Sequence, residues 1–295
     1  MAGYICFILV FFISAGILAY PAFASFWNER HQAKEAHGYQ DMVSELKDED
    51  YSAYWEQADQ YNKALLGSGA VLTDPFDYEA VRSAAQSSMS MYNSTLNFSP
   101  VMATIEIPKI KVDLPIYHGT DEETLAKGVG HLQGSSLPIG GAGTHSILTG
   151  HSGLPGKTLF TDLTKLKPGD VFFINIMNRR LVYQVDRTQV IVPTDLSSLG
   201  IEPDKDYATL ITCTPYGVND HRLLVRGVRV FPETLPEAER RALEEKESAR
   251  PELSTARKVE LAAAAMSGLM LLAMLAVVIA AVIKRRKLRK QNEQE

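Results

Sequence analysis

The sequence predicts a mainly β domain, either a barrel or a sandwich, that follows a helical extension. Between residues 103 and 231, short runs of β-branched and apolar residues alternate with turn-forming groups. Residues 28–66 instead place apolar residues at loosely helical spacing among charged ones. Uncharged, mostly apolar stretches at 1–27 and 261–283 flank these parts. Each is near the length of about 20 residues that a helix needs to cross a bilayer.

The first apolar stretch predicts a transmembrane segment or signal anchor over residues 1–27. No charged residue precedes Glu29. Ala22-Phe23-Ala24 also fits a signal-peptidase site, so a cleaved signal peptide is the alternative. The run is long for a signal peptide and no Lys or Arg precedes it, which favours an uncleaved span.

The second apolar stretch predicts a transmembrane helix over 261–283, followed by a basic tail at 284–295. The tail carries six basic and two acidic residues, so the net charge of −5 leaves −9 for the rest of the chain. The positive-inside rule puts this tail in the cytoplasm and the region between the two spans outside the cell. Such an acidic body argues against nucleic acid as a partner and leaves the lipid bilayer as the predicted partner of the tail.

The region 28–99 predicts a helical extension with an interruption. Residues 28–66 favour an amphipathic helical region whose aromatic residues pack against the following domain, and residues 78–92 favour another helix. Between them lie the flexible Gly67-Ser68-Gly69-Ala70 and a turn-forming loop at about 71–78 that contains Asp74, Pro75 and Phe76. This loop is either a hinged cover or, more simply, a turn between two helices.

The compact domain is expected over residues 100–232. Its predicted strands are 103–107, 112–117 (broken by Pro115), 146–149, 171–176, 181–192, 207–212 and 223–231. Short helices are expected at 120–127 and 159–166. Residues 233–260 are rich in Glu, Arg and Ala, which is typical of a solvated helix or linker.

Cys213 is the candidate nucleophile. The strand at 207–212 ends beside it, and Pro215 and Gly217 then force a turn. A side chain at the end of a rigid element beside a loop is well placed for chemistry. The chain's other cysteine, Cys6, lies in the first apolar stretch, so no disulfide partner is expected. A buried, inert core thiol is the alternative.

A cysteine nucleophile acts as a thiolate and needs a base or a cation nearby. His151 is preferred because it follows an apolar strand between two glycines, a strand-end position like that of Cys213. His131 and His221 are the alternatives. His145 precedes its predicted strand, which favours the other end of the domain.

Arg222 is the candidate donor for a developing oxyanion. It opens the strand after Cys213, so a hairpin would bring the two together. Arg226 lies about 13 Å further along that strand. A surface charge pair is the simpler interpretation of either arginine. With one cysteine in the ectodomain and no His-x-x-x-His, Cys-x-x-Cys, calcium-loop or phosphate-loop spacing, no metal or cofactor is expected.

Together these residues resemble the sortases, the cysteine transpeptidases of Gram-positive cell surfaces. Thr209-Leu210-Ile211-Thr212-Cys213 is similar to the sortase signature Thr-Leu-x-Thr-Cys. Residues 128–141 and 214–227 resemble class C, the pilus-assembling sortases. The long N-terminal extension, Asp74-Pro75-Phe76 and the C-terminal apolar stretch agree, so the resemblance covers roughly residues 30–283.

The resemblance implies an eight-stranded sortase β-barrel. It implies His151 as general acid/base, Cys213 as nucleophile and Arg222 as oxyanion stabiliser. It also implies that Asp74, Pro75 and Phe76 form a lid, with Phe76 over Cys213 and Asp74 near Arg222. Many such lids have Trp where this chain has Phe76, and the smaller ring should cover the thiol less completely.

The resemblance further implies cleavage of a Leu-Pro-x-Thr-Gly-like sorting signal between Thr and Gly, through a thioacyl intermediate on Cys213. The acyl group then passes to a lysine amine of the next pilin, so the implied partners are pilin subunits that bear such signals. Three alternatives stay open: anchoring of surface proteins to the cell wall, an exported cysteine hydrolase, and a catalytically silent membrane-tethered scaffold.

Overall fold

The computed structural model describes residues 2–45, 48–66 and 72–248, with isolated residues between 265 and 283. The chain divides into two compact units. One comprises residues 28–252, and the other comprises residues 1–27 with 253–295. The larger unit contains the β-domain and the candidate site.

Eight strands close into a barrel in the order β1-β2-β3-β4-β7-β8-β6-β5. The barrel interpretation is therefore confirmed over the sandwich. The strands are β1 Ala103–Ile107, β2 Val112–His118, β3 Val129–His131, β4 Thr144–Thr149, β5 Val171–Ile176, β6 Arg179–Ile191, β7 Asp206–Thr214 and β8 His221–Val230.

Two strand predictions need correction. Pro115 does not break β2, because β3 pairs with β2 only from Ile116 onward, so the missing N–H costs no bond on that side. His145 does not precede β4 but is its second residue, opposite Tyr207 at the start of β7. It still lies at the opposite end of β4 from His151.

Strand β3 was not predicted from the sequence. It has three residues, pairs in parallel with β2 and antiparallel with β4, and so depends on partners distant in sequence. Its glycine is required by close packing, since a Cβ on Gly130 would lie 2.3 Å from the carbonyl oxygen of Gly119. Nothing in so short a local pattern indicates such a strand.

Five α-helices are seen in the described residues: α1 Ala2–Glu45, α2 Asp48–Leu66, α3 Tyr78–Ser94, α4 Glu122–Lys127 and α5 Glu237–Ser248. The helix expected at 159–166 is only a short 3-10 turn, Leu163–Lys165. The helix expected at 120–127 is α4, which begins at Glu122. Its N-cap is Asp121, whose side chain accepts from the backbone N–H of Thr124.

The helical extension packs on the barrel through its aromatic residues, as expected. Tyr39, Tyr51, Tyr61 and Tyr92 are buried in the same core as the inward-facing strand residues. The Tyr39 hydroxyl donates to the Met102 carbonyl at 3.0 Å and accepts from the Met177 N–H at 2.9 Å. These contacts fix α1, α2 and α3 against the barrel, and the loop at 72–77 lies between α2 and α3 in the sequence.

Among the residues that the structure describes, none of the helices has both the length and the apolar character that crossing a membrane requires. The spans at 1–27 and 261–283 therefore stay predictions. Most of the second span, the tail at 284–295 and the glycine-containing break at 67–70 lie outside the described residues.

Candidate active site

Cys213 and Arg222 face each other across neighbouring strands. Cys213 is the penultimate residue of β7, and the antiparallel register pairs it with Arg222, the second residue of β8. The thiol is free and half-buried. The hairpin expected from the sequence is thus present, and it brings a nucleophile and a cation to one end of the barrel.

His151 is carried to the same end by β4. This strand runs parallel to β7, with Thr149 opposite Ile211. Just beyond the strand, the Gly150 N–H donates to the Ile211 carbonyl at 3.1 Å, and the Thr212 hydroxyl donates to the Gly150 carbonyl at 2.7 Å. Sequence reasoning missed this role of Thr212. It ties the residue before His151 to the residue before Cys213.

The other candidate histidines are occupied elsewhere. His131 is fully buried beside Tyr92 and Ser136, and burial lowers its pKa to about 4. His145 is held by Thr209 and the Gly200 carbonyl, and burial lowers its pKa to about 4 as well. His221 pairs with the exposed carboxylate of its neighbour Asp220 at 2.7 Å.

The loop at 72–77 is seated on Arg222. The Asp74 carboxylate accepts from Arg222 Nε at 2.9 Å and from Nη2 at 2.7 Å, a bidentate pair. The two side chains are only 12% and 9% exposed, so solvent screens the pair little. At the end of the loop, the Asp77 N–H donates to the Asp74 carbonyl at 3.0 Å, and the Asp77 side chain caps α3 by accepting from the Ala80 N–H. The loop is therefore held at Asp74, by Arg222, and at Asp77, where α3 begins.

Phe76 lies against two of the catalytic candidates, His151 and Arg222. Its ring centroid lies 5.6 Å from that of His151, and the Arg222 guanidinium lies 5.0 Å from the Phe76 ring. Leu72 and Phe76 pack against an apolar cluster separate from the main core: Leu132, Ile147, Ile191, Leu199, Ile211 and Leu224. Leu72 was not singled out from the sequence. A lone leucine in a loop gives no local signal of the patch that it covers.

Tyr78 is a second residue that sequence reasoning missed. It begins α3, and its hydroxyl lies 3.4 Å from His151 Nε2, at the long end of hydrogen-bond distances. Burial raises the pKa of Tyr78, and the negative charges of Glu122 and Cys213 raise it further. The Tyr78 hydroxyl is therefore protonated at neutral pH, and it is close enough to Cys213 for a charge on the thiol to affect it.

The covered site holds its acid and base in their neutral forms. Burial raises the pKa of the Cys213 thiol, which Arg222 lowers and Asp74 raises again. Burial lowers the pKa of His151, and the charge of Glu122 opposes that effect. A thiol and a neutral imidazole are thus favoured while Asp74 occupies Arg222.

The arrangement matches the requirements of acyl transfer through a cysteine. A thiol, an imidazole and a guanidinium meet at adjacent strand ends, as nucleophile, proton carrier and anion stabiliser. In the described part of the chain, no group of three or more His, Cys, Asp or Glu side chains is placed to hold a metal ion.

Comparison with known proteins gives the family. A family model described as a sortase domain matches residues 105–230. The solved structure of sortase C-1 from Actinomyces oris is 46% identical, with a TM-score of 0.56, and the match covers 62% of this chain and 99% of that one. The chain belongs to the sortase family. Sortases are cysteine transpeptidases.

Other relatives agree with this sortase assignment. Sortase C-1 from Streptococcus pneumoniae is 42% identical, with a TM-score of 0.62 and coverage of 67% of this chain and 98% of that one. Sortase D of Bacillus subtilis (strain 168) is 32% identical over 129 residues, 43% of this chain. The match spans less than two thirds of that curated relative, 62% of its length.

Proposed function

We propose that this sortase polymerises pilins. It cleaves a Leu-Pro-x-Thr-Gly-like sorting signal between Thr and Gly and joins the new acyl end to a lysine amine of the next pilin. One observation carries the proposal: the Asp74 carboxylate, on a loop between two helices, occupies the guanidinium that pairs with Cys213. The likeness to sortase C enzymes of Actinomyces and Streptococcus supports it.

In the first step, the Cys213 thiol gives its proton to His151, and its sulfur attacks the carbonyl carbon of the signal threonine. The carbonyl oxygen takes up negative charge, and Arg222 stabilises it once Asp74 has left. His151 donates a proton to the departing glycine nitrogen as the C–N bond breaks. The products are a thioester on Cys213 and a free glycine amine.

In the second step, a lysine amine of the next pilin attacks the thioester. His151 takes a proton from this amine, an isopeptide bond forms, and the Cys213 sulfur leaves with its charge and is reprotonated. Water competes with the amine for the thioester, so an apolar cover that excludes water favours transfer over hydrolysis. The packing of Phe76 on His151 and of Phe76 and Leu72 on the neighbouring apolar cluster supports this role for the loop.

We also propose that the enzyme is anchored in the cell membrane with its barrel outside. The uncharged segments 1–27 and 261–283 then cross the bilayer, and the basic tail 284–295 lies in the cytoplasm. This topology fits the proposed substrate, because exported pilins and the thiol would meet on the same side of the membrane.

The central test uses the full chain in detergent micelles with a Leu-Pro-Glu-Thr-Gly peptide. The native chain, and more strongly Asp74→Ala, should form a covalent adduct of the peptide's acyl part, and Cys213→Ala should form none by mass spectrometry. An adduct that persists in Cys213→Ala contradicts the assignment of the nucleophile.

A second arm identifies the acceptor. A pilin-derived peptide with a single lysine is added, and the transpeptidase is expected to give mainly the branched isopeptide. A product that is always the free acid would instead favour a hydrolase. Transfer to a cell-wall peptide amine but never to the lysine peptide would favour wall anchoring.

A further inference from the structure

Arg222 divides its hydrogen bonds between Asp74 and the backbone that immediately precedes it in the chain. Nε and Nη2 donate to Asp74 at 2.9 and 2.7 Å. Nη1 donates to two backbone carbonyls, those of Asn219 at 3.0 Å and His221 at 3.1 Å. One edge of the planar guanidinium therefore faces the lid carboxylate, while Nη1, on the other side, is held by the chain itself.

The Asn219 carbonyl reaches Arg222 through an unusual backbone conformation. Asn219 lies in the loop between β7 and β8 and has φ +63°, the left-handed region that Asn adopts more readily than most residues. Its own N–H and that of Val218 both donate to the Pro215 carbonyl at 3.0 Å, which closes the turn. Its side chain is exposed, so its backbone is what connects it to the site.

We propose that Asn219 is a positioning residue for the oxyanion donor. Its left-handed backbone, together with the His221 carbonyl, fixes Nη1, so that Nε and Nη2 remain aimed into the site after Asp74 departs. The inference rests on the proposed transpeptidase function. The three guanidinium nitrogens then have different roles. Nη1 positions the group, and Nε and Nη2 bind first the Asp74 carboxylate and then the oxyanion.

This arrangement has a physical purpose. A guanidinium on a flexible side chain loses rotational freedom when it binds an oxyanion, and that cost lowers the rate. Donors that are already oriented avoid the cost at the moment of reaction. Because the Asn219 and His221 carbonyls both accept from Nη1, the edge formed by Nε and Nη2 has few orientations open to it, whether its partner is Asp74 or an oxyanion.

A simpler role for Asn219 is only to adopt the positive φ that the loop between β7 and β8 requires. In that case, replacing Asn219 changes the stability of the loop but neither the turnover of the enzyme nor the hold on the lid. The two roles therefore predict different effects of a residue that disfavours positive φ. Only the positioning role predicts a change in kcat and in the accessibility of Cys213.

The test compares Asn219→Ala with Asn219→Gly in the full chain, because glycine accepts positive φ and alanine does not. Both are made with Asp74→Ala, so that the lid does not limit the rate, and a fluorescence-quenched Leu-Pro-Glu-Thr-Gly peptide is the substrate. Asn219→Ala should lower kcat about five- to tenfold with KM within twofold. Asn219→Gly should restore kcat to within about twofold. The neighbouring Asp220→Ala serves as the matched control and should leave both constants unchanged.

A second readout needs no turnover. With native Asp74, the rate of Cys213 alkylation by iodoacetamide reports how firmly the lid holds Arg222. Asn219→Ala should raise that rate about threefold or more by loosening the guanidinium, and Asn219→Gly should not. If Asn219→Ala does not fold, Asn219→Ser takes its place in both assays.

The outcomes separate the two proposals. If the chain with native Asn219 forms no thioacyl adduct, the proposed function fails, and the alkylation rates alone decide the role of Asn219. If the adduct forms but alanine and glycine at position 219 give equal kcat and equal alkylation rates, the positioning role is overturned while the proposed function stands.

Discussion

At the scale of single residues, the charge of Asp74 holds Arg222 and adds to the effect of burial, which raises the pKa of the Cys213 thiol. It raises the pKa of the thiol, whereas Arg222 lowers it. A buried thiol whose pKa is raised has little thiolate at pH 7, and only the thiolate attacks an electrophile. We therefore expect the Asp74 charge to suppress the reactivity of Cys213 while the loop is seated on Arg222.

Asp74→Asn should lower the pKa of Cys213, because it removes a negative charge near the thiol and leaves Arg222 unopposed. The pH midpoint of iodoacetamide alkylation should then lie at lower pH than in the native chain, and the rate at pH 7 should rise about tenfold. Asp186→Asn is the control, since Asp186 binds Arg226 in a similar bidentate pair, at 3.1 and 2.6 Å. An unshifted midpoint in Asp74→Asn would show that the carboxylate has no electrostatic effect on the thiol.

Tyr78→Phe should weaken the closed loop by removing the hydroxyl that lies 3.4 Å from His151 Nε2. One hydrogen bond contributes on the order of 1 kcal/mol, so alkylation of Cys213 should become about two- to fivefold faster. With Asp74→Ala already present, Tyr78→Phe should add nothing, since the loop is open in both. Equal acceleration in both backgrounds would mean that Tyr78 acts on the thiol without the loop.

At the scale of elements, local alternation was enough to predict β5 over 171–176, and most other strands to within a few residues. It could not predict β3, whose three residues are held only by β2 and β4. Nor could residue patterns alone decide between a cover and a plain turn at 72–77. The contact that favours a cover joins Asp74 to Arg222 across 148 positions, and it was anticipated only through the resemblance to a family.

The contact between α3 and β3 should make the fold sensitive to acid. Tyr92 of α3 stacks on His131 and hydrogen-bonds its Nδ1 at 2.9 Å, while His131 Nε2 donates to the Ser136 carbonyl at 2.8 Å. Burial lowers the pKa of both His131 and His145 to about 4. The unfolded chain therefore binds more protons than the native one between pH 6.5 and about 4.

Stability from these two histidines should be complete above pH about 6.5 and should be lost as the pH falls toward about 4. Thermal unfolding measured across this range should show a falling Tm. His145→Gln should reduce the slope of unfolding free energy against pH by about one proton. A Tm independent of pH in this range would contradict the neutral, buried state of both rings.

At the scale of the whole molecule, the helical extension belongs to the catalytic unit. The expected compact domain began at residue 100, yet buried Tyr39, Tyr51, Tyr61 and Tyr92 share one core with the barrel. The Asn62 side chain bonds the Leu137 backbone in both directions, at 3.2 and 2.7 Å. The loop at 72–77, whose Asp74 binds Arg222, thus lies between two helices that pack on the barrel.

A fragment of residues 28–252 should fold alone, whereas residues 100–232 should not. The first keeps the main core intact, since every member of that core lies between Tyr39 and Val225. The second exposes the barrel face that the helices cover and loses about 1.5–3 kcal/mol for each large apolar side chain no longer buried. That loss, summed over several aromatic residues, is comparable to the whole stability of an ordinary domain.

Circular dichroism melts and Cys213 alkylation rates measure the difference. Residues 28–252 should unfold cooperatively and alkylate within about twofold of the full chain, because the covering loop and its anchors are retained. Residues 100–232 should aggregate or melt without a cooperative transition. If the shorter fragment folds as stably as the longer one, the helices contribute only the cover and nothing to the core, and the catalytic unit begins at the barrel after all.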